Sequence, residues 1–320
     1  MQNRTLLKRI VEERYTYLFL LPILVFFAVF TLRSLIVVGQ FSLFEFTGTG
    51  RIDRFIGLTN YREVIADPYF WNAFRNTFVF MLGVVPGQLG IGLMLALLLN
   101  RRGQVSTVYR TIYFLPVVTT TAIIGMISPL LFSPVNGPIN VALQALLVID
   151  GPRDFLGNRD TALQTVIFVS IWKHAGMYMA YWLAALQTIP DELYEAATVA
   201  GASSRQKLWH ITLPLLIPIG SIITLLCVIG SLKPFALVKT MTNGGPFFAS
   251  DVVMTYIYRF AFSSEAGPPR IGYASAAAVF YGVVLIGLAA VQTLISRRIN
   301  AGRRHSTVGA GAPSTGVTTT

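Results

Sequence analysis

A chain of 320 residues that is 54% hydrophobic and only 12% charged, against about 25% charged for an average soluble domain, has the make-up of an integral membrane protein rather than a soluble enzyme. Its formal charge of +11 is concentrated in segments that the positive-inside rule places on the inner side, which argues for membrane orientation and against nucleic acid as a partner. The single cysteine, Cys227, excludes an intramolecular disulfide and a thiolate metal cluster.

Six hydrophobic runs of about 20 residues each are long enough to cross a hydrocarbon core of about 30 Å as helices. Residues 1–16, with Arg4, Lys8 and Arg9, form a cytoplasmic amino terminus; the run that follows is too long for a signal peptide and lacks a cleavage pattern, so it stays as the first span. Residues 17–76 hold that span, Tyr17–Gly39, and an exterior loop. Arg33 within the span is expected to snorkel or to pair with another subunit. The remaining spans, in a core over 77–298, are expected at Thr77–Leu99, Ile112–Phe132, Ala162–Gln187, Pro214–Leu232 and Gly272–Ile295. Gly83 with Gly87, and Ala274 with Ala278 and Gly282, have the small-xxx-small spacing of close helix packing. Pro86, Pro116, Pro129 and Pro218 permit kinks. The basic loop at Arg101, Arg102 and Arg110 and the tail at Arg297, Arg298, Arg303 and Arg304 carry most of the inner positive charge. Residues 299–320 are expected to be a disordered cytoplasmic tail.

In the fourth span Trp172, Lys173, Tyr178 and Tyr181 put aromatic faces and polar tips on one helix. Rings stack on sugar faces while Lys and Tyr donate to hydroxyls, which makes these candidates for a substrate pathway; the other reading is an exterior interface with helix contacts. Lys233 and Phe235, at the outer end of the fifth span, are open to the same two readings.

The segment over 190–214 departs from the pattern of spans. Leu193, Ala196, Ala197 and Ala200 fall at i, i+3, i+4 and i+7, a low-relief stripe on a helix starting near Pro190. Asp191 and Glu192 suit its positive end, Gly201 suits a left-handed stop, and Ser203 with Gln206 is a capping box for a second short helix that Pro214 hands over to the next span. After the fifth span, Asn243-Gly244-Gly245-Pro246 predicts a structured exterior loop.

Glu195-Ala196-Ala197, Gly201, Ile211 and Leu213-Pro214 resemble, position for position, the EAA loop of permease subunits of binding-protein-dependent ABC importers. Ala200 stands where many members carry Asp. Gly57-Leu58, Asn60-Tyr61, Phe70-Trp71, Ala73 and Asn76-Thr77 are similar to the segments before the transport core of sugar-type permeases, and the Gly244-Gly245-Pro246 region with Tyr256-Ile257-Tyr258 looks like carbohydrate-uptake permeases of the maltose and glycerol-3-phosphate type. The resemblance implies an all-α membrane protein with the six-helix, MetI-like permease fold and a cytoplasmic coupling helix. It further implies a bacterial inner-membrane location with both termini cytoplasmic. The implied partners are a second homologous permease, two ATPase subunits and an extracytoplasmic binding protein that delivers a carbohydrate. Glu195, Ala196, Ala197, Ala200, Gly201, Ile211, Leu213 and Pro214 would couple to the ATPase, and Asn243, Gly244, Gly245 and Pro246 would make exterior contacts.

No catalytic constellation emerges. His174, His210 and His305 are scattered, giving no metal spacing, and no phosphate-binding G-x-x-x-x-G-K-[ST] loop occurs, so ATP and Mg are expected on partner subunits and none on this chain. A secondary transporter would need acids within the spans, and all the acids lie outside them. An importer of an amino acid or another small solute stays open as the alternative.

Overall fold

The computed structural model describes residues 14–48, 54–100, 103–263 and 267–308. Arg4, Lys8, Arg9, Arg101 and Arg102 lie outside the described residues, as does 309–320. Among the described residues, four helices are long and apolar enough to cross a membrane, and a bent pair makes a fifth. The chain divides into two compact units, Met1–Asp67 with Ile257–Tyr281, and Pro68–Tyr256 with Gly282–Thr320.

In the first unit, α1 runs through Arg14–Phe26, a π-helical stretch Phe27–Leu32 and Arg33–Phe41. None of its spanning part is buried within the chain. It is apolar nearly all round, as a lipid-facing or subunit-facing helix must be. The strands β1 (Phe44–Glu45) and β2 (Arg54–Phe55) pair antiparallel, with the rings of Phe44 and Phe55 edge to face at 5.3 Å. Helix α2 (Thr59–Ala66) is fastened to them by Asn60, whose buried amide donates to the carbonyls of Ser42 and Phe44 at 2.9 and 3.0 Å. The hydroxyls of Ser42 and Tyr61 share a 2.7 Å hydrogen bond. Asn60 and Tyr61, which the sequence places in a family-like segment, thus tie α2 to the strands and to the end of α1. Arg270 pairs with Glu63, and the Tyr273 hydroxyl donates to Asp67 at 3.0 Å.

The second unit is built on α3 (Pro68–Leu99) and α7 (Ala162–Leu186). The second span, expected to start at Thr77, begins at Pro68 and is 32 residues long, because nothing between Tyr69 and Asn76 interrupts a helix. Gly83 and Gly87 lie against Ile167 and Ile171 as their spacing implied, and a Cβ on Gly92 would sit 2.8 Å from Cβ of Tyr178 and 3.0 Å from the Met179 nitrogen. Backbone stands at the last contact where flexible side-chain ends stand at the first two, so Gly92 is the least replaceable of the three. Helix α7 falls outside the apolar set because Gln164, Lys173 and His174 dilute it, yet its 25 residues span about 37 Å at about 1.5 Å per residue, enough to cross.

The third expected span is two helices, α4 (Gln104–Val118) and α5 (Thr121–Leu131), bent by 95°. The break falls on Thr119 and Thr120, both extended with ψ of 135° and 131°. β-Branched Thr residues that hydrogen-bond locally give the helix little reason to continue there. Helix α6 (Pro138–Ala145) follows.

Beyond α7 come α8 (Asp191–Val199), the single turn α9 (Ser204–Lys207), a π-helical stretch Leu208–Thr212 and α10 (Leu213–Ser231). The expected hand-over at Pro214 is not a break. Ser204–Ser231 is one 28-residue run, with the π stretch relieving the clash that a proline makes with the preceding turn. Helices α11 (Phe235–Met241), α12 (Val253–Phe262) and α13 (Ile271–Val308) complete the described residues. The disorder expected from 299 gives way to helix as far as Val308. Two buried clusters form the core of the second unit, one around Met179, Trp182 and Cys227 and one around Phe80, Val166 and Val238.

Candidate functional site

Three places concentrate the sequence candidates. The first is α8. Pro190 is extended (φ −61°, ψ 133°) and caps the helix rather than opening it, leaving Asp191 and Glu192 in the first turn. At the other end the Ala202 N–H donates to the Ala197 carbonyl at 2.9 Å and the Gly201 N–H to Thr198 at 3.0 Å, with Gly201 at φ +77°. This pair of bonds around a left-handed glycine is a Schellman stop. Ser203 and Gln206 then form the expected reciprocal capping box, at 2.7 and 3.3 Å. No residue of α8 is buried, and Leu193 and Val199 are 43% and 91% exposed. Tyr194 ties the helix to the start of the next span through a 2.9 Å bond between its hydroxyl and that of Thr212, and Lys207 donates to the Thr198 hydroxyl at 2.6 Å. Glu195, Ala196 and Ala200 are exposed, Ala197, Ile211, Leu213 and Pro214 half-buried. The element is a fixed, outward-facing helix with an apolar stripe and a carboxylate free of partners among the described residues.

The second place is a cavity of about 220 Å³ within the second unit. Phe80, Val84 and Gln88 of α3 and Ser170, His174 and Tyr178 of α7 line it, each set repeating every four residues, so that one stripe of either helix faces in. Thr121, Ser231, Lys233 and Ala236 close it. Gln88 donates to the Ser170 carbonyl at 3.0 Å and accepts from the Cys227 thiol at 3.4 Å; His174 Nδ1 lies 2.9 Å from the same carbonyl. Of the six pathway candidates, Tyr178 and Lys233 line this cavity. Trp172 and Tyr181 are 53% and 39% exposed, with Tyr181 edge-on to Tyr178, and Phe235 is half-buried. Lys173 points elsewhere: it is 3% exposed and donates to carbonyls at and just past the end of α4. Gln88, Ser170 and Ser231 escaped the sequence reading because each is a lone polar residue in an apolar run, and His174 entered it only as a residue without metal-ligand spacing; the four-residue repeats along α3 and α7 were the available signal.

The third place is the loop after α11. Asn243, Gly244, Phe247 and Phe248 all have positive φ, and the Gly245–Pro246 bond is cis. Positive φ at the non-glycine residues Asn243, Phe247 and Phe248 persists only where the surroundings impose it. Here Asn76 donates to the carbonyls of Phe248, Ala249 and Asp251 at 3.3, 3.0 and 3.0 Å, Asn72 donates to Phe248 at 2.7 Å, and the Val253 N–H donates to the Thr77 hydroxyl at 3.0 Å. Phe247 is left 84% exposed. Replacing Asn76 with Ala is expected to cost about 1–3 kcal/mol by stranding those carbonyls; earlier thermal unfolding in detergent and faster proteolysis over 243–248 would register it.

A helical membrane protein with an exposed helix inserted between two spans and a cavity that carries polar groups among the others has the architecture of a transport permease. The chain belongs to the family described as the binding-protein-dependent transport system inner membrane component, which it matches over residues 88–301. It is 34% identical over 278 residues to the probable ABC transporter permease protein YurN of Bacillus subtilis, covering 86% of this chain and 94% of that protein. It is 32% identical to the lactose transport system permease protein LacF of Rhizobium radiobacter, over 89% of this chain and 93% of that one. A solved bacterial alginate ABC transporter, in complex with alginate pentasaccharide-bound periplasmic protein, superposes with a TM-score of 0.79 at 25% identity, covering 92% of this chain and 98% of the matched chain. The fold is that of ABC importer permeases, and the chain is a multi-pass membrane subunit rather than an enzyme.

Proposed function

We propose that this chain forms one half of the membrane pathway of an ATP-driven importer for a carbohydrate, with α8 as the helix on which a cytoplasmic ATPase subunit docks. The observation that carries this reading is the pinned, exposed α8 with Glu195 unpartnered at its surface. A helix held by Tyr194 and the Gly201 stop transmits a push as a rigid element, whereas a loose loop would absorb it. ATP and Mg²⁺ belong to two ATPase subunits, and a second, homologous permease completes the pathway. Arg110, Arg205 and Lys207 beside this face support its placement on the inner side of a bacterial cytoplasmic membrane, with both termini cytoplasmic.

Support for a sugar comes from the cavity and from relatives that carry lactose or alginate in their names. Amide, hydroxyl and ammonium donors beside the Tyr178 ring are the groups that sugar hydroxyls and sugar faces engage. A polyol phosphate fits the same chemistry through Lys233. The loop at Asn243, Gly244, Gly245 and Pro246, which exposes Asn243 and Phe247, would meet a substrate-loaded extracytoplasmic binding protein.

Reconstitution of the chain with its second permease, ATPase subunits and binding protein in vesicles tests the whole reading. Uptake should require both ATP and the binding protein; vesicles that fill without ATP would refute it. Calorimetry of the binding protein against oligosaccharides and polyol phosphates separates the two substrate classes.

A further inference from the structure

Lys173 is the anomaly among the spans: a cation 3% exposed, in the middle of α7, with no carboxylate against its ammonium among the described residues. Its Nζ donates to the carbonyls of Pro116, Val117 and Thr119 at 3.5, 3.5 and 3.1 Å. Those are the oxygens that the 95° break between α4 and α5 deprives of helical donors. An ammonium has three protons, one for each, and a cation is favoured at the negative end of a helix. One turn further along α7, Gly176 lies so close to the Tyr113 carbonyl that a Cβ would overlap it and would sit 3.0 Å from the Cα of Phe114. Backbone contact and ammonium together fix the end of α4 on α7 at two successive turns.

The break also places a wall of the cavity. Thr121, the first residue of α5, lines it beside Ser170 and His174, the neighbours of Lys173 on α7. At its inner end α7 leads through 187–190 straight into α8. We infer that Lys173 is a positioning residue that locks the broken α4–α5 pair to α7, so that displacement delivered at α8 moves the cavity wall at Thr121 with it. Without the lock, α7 would slide past the end of α4 and the cavity would not follow. The inference rests on the reading of α8 as the docking helix.

The test uses the complete reconstituted complex, with uptake and ATP hydrolysis measured in the same vesicles. Lys173→Met should lower solute moved per ATP about tenfold, since it strands buried carbonyls, while hydrolysis stimulated by the loaded binding protein persists. Lys173→Arg, which keeps the donors, should recover most of the ratio. Spin labels at Val118 and Phe168, 75% and 60% exposed, placed in a chain with Cys227 replaced by Ala, should keep one separation in nucleotide-free and ATP-trapped complexes, and Lys173→Met should broaden it. A wild-type transport ratio in Lys173→Met overturns the inference. So does a separation that changes between the two states of the otherwise unaltered chain, a measurement that stands even if the Met variant does not assemble. Loss of stimulated hydrolysis along with uptake would mark failed docking at α8 and would remove the lock as the cause.

Discussion

Replacing Glu195 with Lys is expected to abolish uptake while leaving the chain folded and inserted. The side chain is exposed and unpartnered among the described residues, so reversing its charge costs the isolated subunit almost nothing; surface substitutions of this kind stay within about 0.5 kcal/mol. If an ATPase subunit docks on α8 as proposed and sets a basic residue against Glu195, the same change replaces attraction with repulsion in a desolvated contact, where losing one partner of a charge pair costs about 2–5 kcal/mol. At about 1.4 kcal/mol per factor of ten, that weakens docking by a factor of roughly 30 to several thousand. Thermal unfolding of the detergent-solubilised chain should match wild type, ATPase subunits should no longer copurify, and uptake should fall to background. Gly201→Val should reach the same loss by another route, since φ of +77° is strongly unfavourable for a β-branched residue and the Schellman stop would unwind. Retained copurification in both variants would separate α8 from the ATPase and leave its rigidity unexplained.

How much of this was legible depended on whether the signal was local. The end of α8 could be read from Gly201, and the capping box from Ser203 and Gln206, because a left-handed stop and a reciprocal cap are settled within a few residues. Gly83 and Gly87 were legible for a similar reason: absence of a side chain already states that something comes close. The break at Thr119 and Thr120 was not, because hydropathy is indifferent to direction and runs on across a 95° bend. Lys173 was misleading in an instructive way. A lysine beside Trp172 and Tyr178 looks like a ligand-binding group, and only the position of the α4 terminus shows where its protons go. In the sequence Asn60 and Asn76 stand out only as parts of family-like segments, yet their work is to satisfy carbonyls 16 to 175 residues away in the chain. No local rule identifies such partners. The cavity lining was hidden for the opposite reason, since Gln88 and His174 gain meaning only when α3 and α7 are brought side by side.

Filling that cavity gives the second large effect. Ala236→Trp introduces the largest side chain at an exposed position on the rim of a space of about 220 Å³. Because that position is exposed, folding should be preserved, unlike a bulky replacement of the buried Ser231 or Gln88 inside the wall. If solute passes between α3, α7 and α11, uptake should fall about tenfold or more, equivalent to at least about 1.4 kcal/mol on the barrier. ATP hydrolysis stimulated by the loaded binding protein should continue, because α8 and its tethers at Tyr194 and Lys207 are untouched. Ala236→Ser, which adds one hydroxyl to a wall already lined by Ser170 and Ser231, should transport nearly as well as wild type. Unimpaired uptake by the Trp variant would move the pathway away from this cavity and make Gln88, His174 and Tyr178 packing residues, whereas selective loss of uptake ties the site that binds solute to the helices that α8 drives.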